Sequence, residues 1–339
     1  MKPVCRRLSR PALIAGGLAL SVMGATAHCE APETAQKPLP VALVDALNTL
    51  AGGPHKGFRA NHAKGIMVEG AFTPAKSATL LSKAPHFARS VPVMVRFSDA
   101  TGVPTLPDAA PEASPHGMAI RFKLPNGSST DIVSISANGF PVATPEDFLA
   151  FLTAAANSSP GVPKPTPVEL FVGSHPAALK FVTTPRPAPD SFGTLAYYGV
   201  NAFKFTNARG VSRYGRYQII PEAGARTLTP DEIAHADPKY LMDELTQRLA
   251  KGSVKFRLQV QLAKDGDSTN DGTQVWPEDR EILVLGVITL TTVTADQVAA
   301  QKLIMFNPLS LQVGIEPSAD PVLLARPSAY AVSYSQRFQ

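Results

Sequence analysis

Between about residues 65 and 290 apolar and polar residues alternate repeatedly with a period of two, which limits the centre of the chain to β-structure. Val254, Phe256, Leu258, Val260 and Leu262 against Lys255, Arg257, Gln259 and Gln261 give the clearest run, with one face buried. Similar runs predict strands at Ile66–Phe72, Val93–Ser98, Met118–Leu124, Asp131–Ser136, Ala202–Thr206, Arg213–Ile220 and Glu281–Leu290. About eight strands of this length, mostly antiparallel, close a barrel and leave no free edge. There is no βαβ rhythm and no internal repeat to support another architecture.

Helix start signals punctuate this set. Thr144-Pro145-Glu146-Asp147 opens a helix carrying Phe148, Leu149, Phe151 and Leu152, and Thr229-Pro230-Asp231-Glu232 reads as a capping box. A third helix from Pro238 to Lys251 is stopped by Gly252, and Thr294 opens another through Met305. Pro160–Pro167 and Pro185–Pro189 read as loops. With 339 residues, 44% of them hydrophobic, the chain can build one large core, and no composition shift divides it. The expected fold is α+β: a closed antiparallel β-barrel with flanking helices, spanning residues 51–339.

Residues 1–27 read as an export signal peptide: Lys2, Arg6, Arg7 and Arg10 precede an apolar run from Pro11 to Val22, and Ala25-Thr26-Ala27 is a cleavage site. The run is too short to span a membrane, so no transmembrane segment is expected. Arg6-Arg7 is compatible with a twin-arginine signal, and a periplasmic or secreted location follows. Residues 28–50 form an N-terminal segment, partly flexible, Pro- and Ala-rich from Ala31 to Pro40. Without the leader, 28 basic residues face 27 acidic ones, which gives no electrostatic footprint for a nucleic-acid partner. Cys29 is then the single cysteine, which excludes an intramolecular disulfide.

At the far end, Arg326 and Tyr330 lie one helical turn apart, and Tyr330, Tyr334 and Arg337 share a stripe if Pro327 occupies the first turn of a helix. A free phenol titrates near pH 10, so it binds ferric iron at neutral pH only beside a fixed cation, and a guanidinium is one. The plain alternative is a capped C-terminal helix with an interfacial tyrosine. Near the other end, His62 precedes the first strand, and alternation puts Arg96 and Ser98 on one face of the next. A serine there can accept from one ring nitrogen of His62 and so fix which nitrogen faces a ligand. A histidine simply bonded to backbone is the plain alternative.

Asn61-His62-Ala63-Lys64-Gly65, Val95-Arg96-Phe97-Ser98, His116-Gly117-Met118-Ala119-Ile120-Arg121-Phe122, Asn201-Ala202-Phe203, Val275-Trp276-Pro277, Phe306-Asn307-Pro308 and Arg326-x-x-x-Tyr330 stand in the order found in haem catalases. The chain more closely resembles the short catalase-related peroxidases, which keep the haem barrel and lack the later domain of full-length catalases. That resemblance implies haem b as cofactor, with Tyr330 as axial ligand of its iron and Arg326 as charge partner. It also implies His62 as the distal acid–base residue, Ser98 as its orienting partner, and Arg59, Arg96 and Arg337 as anchors of the haem propionates.

In the same alignment of motifs Ile135 stands where catalases carry a distal asparagine, with Asn138 three positions on. An apolar side chain there implies poor disproportionation of hydrogen peroxide and better use of organic hydroperoxides, whose tails gain from burial. The expected activity is therefore that of a haem peroxidase acting on a small-molecule peroxide with an organic electron donor. A rearrangement of fatty-acid hydroperoxides of the allene oxide synthase kind and a non-catalytic haem-binding protein are the alternatives. The chain stops nine residues after Tyr330 without a Gly-rich phosphate loop, so no NADPH is expected, and a monomer or homodimer is.

Overall fold

The computed structural model describes residues 37–339; the expected signal peptide and Cys29 lie outside the described residues. Among the described residues there are ten strands: β1 (Gly65–Pro74), β2 (Val91–Ser98), β3 (Gly117–Lys123), β4 (Ser129–Ile135), β5 (Tyr197–Tyr198), β6 (Phe203–Thr206), β7 (Ser212–Pro221), β8 (Val254–Leu262), β9 (Ile282–Val293) and β10 (Ile315–Pro317). The helices are α1 (Leu39–Leu50), α2 (Ala78–Leu81), α3 (Pro145–Ala156), α4 (Pro167–Ser174), α5 (Pro176–Thr183), α6 (Pro230–Ala234), α7 (Tyr240–Lys251), α8 (Gln297–Leu303) and α9 (Pro321–Gln336). Among the described residues no helix is long and apolar enough to cross a membrane.

Every pairing in the sheet is antiparallel, and following neighbours from β7 through β5, β4, β3, β2, β1, β9 and β8 returns to β7. Eight strands therefore close the barrel, while β6 and β10 extend from β7 beside the short β5. Alternation sorts β2 as expected: Val93, Val95 and Phe97 enter the large core cluster, and Arg96 and Ser98 face the other way. Phe97, Phe192, Tyr197 and Phe256 meet inside it with ring centroids 5.4 to 6.1 Å apart. On the opposite face of the sheet Met67, Ile304 and Phe306 form a second, small cluster.

The long alternating run at β8 is buried on both faces in its second half. Gln259 and Gln261 are covered, and their amides donate to Gln218 Oε1 (2.8 Å) and the Pro277 carbonyl (2.9 Å). The loop over residues 263–281 covers Gln261 through Pro277. It wraps Arg216, which donates to the carbonyls of Gln274 and Asp271 and lies 4.3 Å from the Trp276 ring centre.

Several boundaries differ from the sequence reading. The compact unit begins at Lys37, because α1 packs on α3 and α9 instead of belonging to a flexible arm. The helix expected from Thr294 starts at α8, where Asp296, not Thr294, accepts from the Ala299 N–H. Between the Pro-rich stretches lie α4, with a capping box at Thr166, and α5. The last helix starts at Pro321, ahead of Pro327. Asp320 accepts from the Val322 and Leu323 N–H groups and Pro321 takes the first turn, so Pro327 lies inside α9.

His86 is 1% exposed, its ring 4.1 Å from Phe87 and 5.0 Å from Phe122, and its Nδ1 has no partner. Burial holds its pKa down to about 3, against about 6.5 in an unfolded chain. The unfolded state therefore takes up a proton as pH falls through 6.5 and the folded state does not until about 3. Stability is complete above 6.5 and is lost below it, by about 1.4 kcal/mol per pH unit for this group. Replacing His86→Leu should flatten the loss of stability between pH 6 and pH 4, as read from urea midpoints.

Candidate functional site

A cavity with about 1450 Å³ of empty space, part of it open to solvent, lies between the outer face of the barrel and helices α1, α3 and α9. His62, Ser98, Arg59, Arg96, Arg326, Tyr330 and Arg337 all line it. Most of the remaining wall is apolar, with Leu43, Val44 and Leu47 from α1, Phe148 from α3, and Met118, Val133 and Ile135 from the barrel.

His62 occupies the turn before β1, with φ at 57°, the left-handed region that residues with a Cβ seldom enter. The side-chain oxygen of Asn61 accepts from the His62 backbone N–H at 2.9 Å and holds that turn. The ring meets Ser98 Oγ through Nδ1 at 3.0 Å, and with Nδ1–H donating, Nε2 carries the free lone pair. Burial first, and Arg96 next, hold the imidazole pKa down to about 3, so the ring is neutral at physiological pH.

Gly117, paired with Ser98 across β2 and β3, makes this arrangement possible. A Cβ at that position would stand 2.9 Å from His62 Cε1, His62 Nδ1 and Ser98 Oγ. Gly117→Ala should therefore push the ring off Ser98. A reaction that uses the His62 ring as its proton carrier should slow by about tenfold, the scale of a mispositioned acid–base group, with the amount of folded protein unchanged.

On α9, Arg326 donates from Nε (3.1 Å) and Nη2 (2.8 Å) to Tyr330 Oη, and from Nη1 to Asn201 Oδ1 (2.7 Å). Asn201 in turn donates to Asp320 Oδ2 at 2.7 Å, the same carboxylate that caps the helix. The guanidinium thus closes on the phenol oxygen with two charge-assisted hydrogen bonds. Asn201 was visible in the sequence as part of a motif, but the separation of 125 residues hid its contact with Arg326.

The three other arginines converge. Arg59 and Arg337 both donate to the carbonyls of Gln301 and Ile304, at 2.9 to 3.3 Å. Arg96 donates to Gln301 Oε1 (2.9 Å) and the Ala63 carbonyl (3.1 Å). Their partners are carbonyls and an amide, none of them anionic. Arg337 Nε, in a residue 4% exposed, has no partner. Burial and mutual repulsion lower the pKa of Arg59 and bring Arg96 to about 9, and burial brings Arg337 to about 10. Such a group of cations is incomplete without an anion, and carboxylates match its fork geometry.

At the position of the expected missing amide, Ile135 forms part of the cavity wall, while Asn138 is exposed and does not line it. Met305 and Phe306 are held in the wall by a clamp. Asp131 takes both Nε and Nη2 of Arg121 (2.8 and 2.7 Å) and the Asn307 N–H (2.8 Å), and Arg121 donates to the Met305 carbonyl (2.7 Å). The apolar contribution of α1 was missed in the sequence. Its signal was the spacing of Leu43, Val44 and Leu47 ahead of Gly52-Gly53, obscured by the neighbouring prolines.

Residues 57–339 match the Catalase family model. A catalase-related peroxidase of Mycolicibacterium paratuberculosis is 36% identical over 302 residues, 88% of this chain and 94% of that protein. One from Synechococcus elongatus is 36% identical over 290 residues, 84% and 85% of the two chains. Among solved structures, a fungal catalase superposes with a TM-score of 0.73 at 23% identity, covering 83% of this chain, and this chain spans 59% of that one. A family match from residue 57 to the last residue, and relatives aligned over most of their length, agree with the barrel and the order of motifs: the chain belongs to the catalase family.

Proposed function

We propose that this chain, a haem peroxidase by family, binds haem b and reduces organic hydroperoxides, and hydrogen peroxide weakly, with an organic electron donor. One observation carries the reading. A neutral histidine tied to a serine, and a tyrosine tied to an arginine, line a single apolar cavity that also holds three arginines without an anion.

The residues fit haem. Arg59, Arg96 and Arg337 would take its two propionates, which relieves their repulsion and gives Arg337 Nε an acceptor. Tyr330 Oη, charge-supported by Arg326, would bind the iron. When bound, haem supplies the two electrons that break the peroxide O–O bond and is restored by the donor.

His62 supplies the proton chemistry. Nε2, neutral because the pKa is near 3, would accept the proton of the hydroperoxide O–H. It then delivers that proton to the far oxygen, which departs as an alcohol instead of an alkoxide. Ser98 keeps the tautomer that leaves Nε2 free. Ile135 favours an alkyl tail over a second hydrated peroxide, because burying each CH₂ is worth about 0.8 kcal/mol and an isoleucine offers no hydrogen bond.

Absorption spectra of the purified protein test the reading. Cumene hydroperoxide with an organic donor should be consumed several-fold faster than hydrogen peroxide, and the spectrum should carry a haem band. Rapid evolution of oxygen from hydrogen peroxide would overturn the substrate assignment, and a product formed from the hydroperoxide without a donor would replace reduction by rearrangement.

For location, the proposal is export to the periplasm or beyond with cleavage after residue 27. Mass spectrometry of the mature N-terminus in the exported fraction checks it.

A further inference from the structure

Behind the wall that carries His62 lies a second set of ionisable groups. The Lys64 ammonium, in a residue 7% exposed, reaches Asp99 Oδ2 at 3.1 Å, Asp108 Oδ1, and the carbonyls of Leu106 and Pro238. Asp99, 1% exposed, accepts from His116 Nδ1 at 3.0 Å, and Asp108 accepts from the Leu241 N–H at 2.8 Å.

This cluster is joined to the site by the chain itself. Asp99 follows Ser98, which holds the His62 ring, and His116 precedes Gly117, whose missing side chain leaves the ring its space. Backbone bonds from Ala63 N to the Thr101 carbonyl (2.8 Å) and from Asp99 N to the Lys64 carbonyl (3.3 Å) tie the same segments together.

We propose that Asp99 is a positioning residue for peroxide cleavage, supplying the negative charge that keeps His62 basic in a pocket otherwise dominated by arginine. The inference rests on the reading of His62 as the proton carrier. Three cations act on the His62 ring: Arg96 from β2, Arg59 from the segment before β1, and Arg326 from α9. Each disfavours a proton on the ring. Asp99 opposes them, and among the groups acting on the ring it is the carboxylate.

The cluster keeps Asp99 ionised. Burial works against its charge, but the His116 hydrogen bond and the Lys64 ammonium outweigh burial and hold the carboxyl below its ordinary range. Asp108 is placed the other way: burial, then repulsion from Asp99, raise its pKa above the carboxylate range. A proton entering the cluster goes to Asp108, and Asp99 keeps its charge.

The test uses the holoenzyme and cyanide, whose acid form must give a proton to the distal base as it binds. Asp99→Asn should slow cyanide association at pH 7 by about tenfold, the effect of one pH unit of lost basicity, and peroxide reduction by a similar factor. Asp108→Asn breaks the same cluster without touching the field at His62. It should lower the melting temperature and leave cyanide association within twofold of wild type. Should Asp99→Asn give no folded holoenzyme, Asp99→Ser keeps an acceptor for His116 without the charge and should show the same slowing.

Wild-type cyanide rates in the Asp99 variants, or an equal loss in Asp108→Asn, would overturn the assignment. His62→Gln separates the two readings: if that variant binds cyanide as fast as wild type, the proton-carrier reading fails. If it is slow and Asp99→Asn is not, only the role of Asp99 fails.

Discussion

His62→Ala should lower the rate of reaction with cumene hydroperoxide by two to four orders of magnitude while leaving haem content unchanged, as roughly expected for loss of an acid–base group. The size follows from the site: among the cavity-lining groups His62 is the one with a free neutral nitrogen, already oriented by Ser98. Stopped-flow measurement of the first phase after mixing with peroxide isolates this step from donor oxidation. The pH dependence sharpens the expectation. With the folded-state pKa held near 3 by burial and Arg96, the basic form of His62 prevails above about pH 4. The wild-type rate should stay level from pH 8 to pH 5, with no inflection near the 6.5 of a free imidazole. A variant with the wild-type rate would leave a haem-binding protein whose histidine does no chemistry.

The second large effect is expected at Tyr330. Tyr330→Phe removes the oxygen on which two guanidinium donors converge at 2.8 and 3.1 Å. It should reduce haem retention by more than the roughly 10- to 100-fold typical of losing a partner behind a metal ligand. Arg326→Leu, which removes only that partner, should fall within the 10- to 100-fold range. The haem-to-protein absorbance ratio after gel filtration reads both. Retention unchanged in Tyr330→Phe would mean that the arginines alone hold the group. The folded state of the variant is separately checked by its melting curve, since Arg326 keeps its bond to Asn201.

Much of the frame was legible along the chain because its signals are local. Period-two alternation placed seven of the eight strands that close the barrel; the eighth expected run is β6, which lies outside the ring while the short β5 completes it, and Thr144 and Thr229 cap α3 and α6 as their spacing requires. The two strands that were missed, β5 and β10, have two and three residues, too few to show a period. At α9, Pro321 and Pro327 both suit a first turn. Asp320 settled the competition, because its carboxylate reaches two N–H groups and also Asn201.

The sequence by itself determined which residue types are available and which face of each strand they occupy: His62 ahead of β1, Arg96 and Ser98 together on β2, Arg326 one turn from Tyr330. Only the tertiary structure decided that α1 closes the cavity, that Asn201 stands behind Arg326, and that Asp99 and Lys64 form a buried pair beside the His62 turn. The reason is physical. Alternation and capping act between neighbours a few residues apart, whereas burial, repulsion among arginines and the protonation of His62 depend on groups tens to hundreds of residues away, which meet only when the barrel closes.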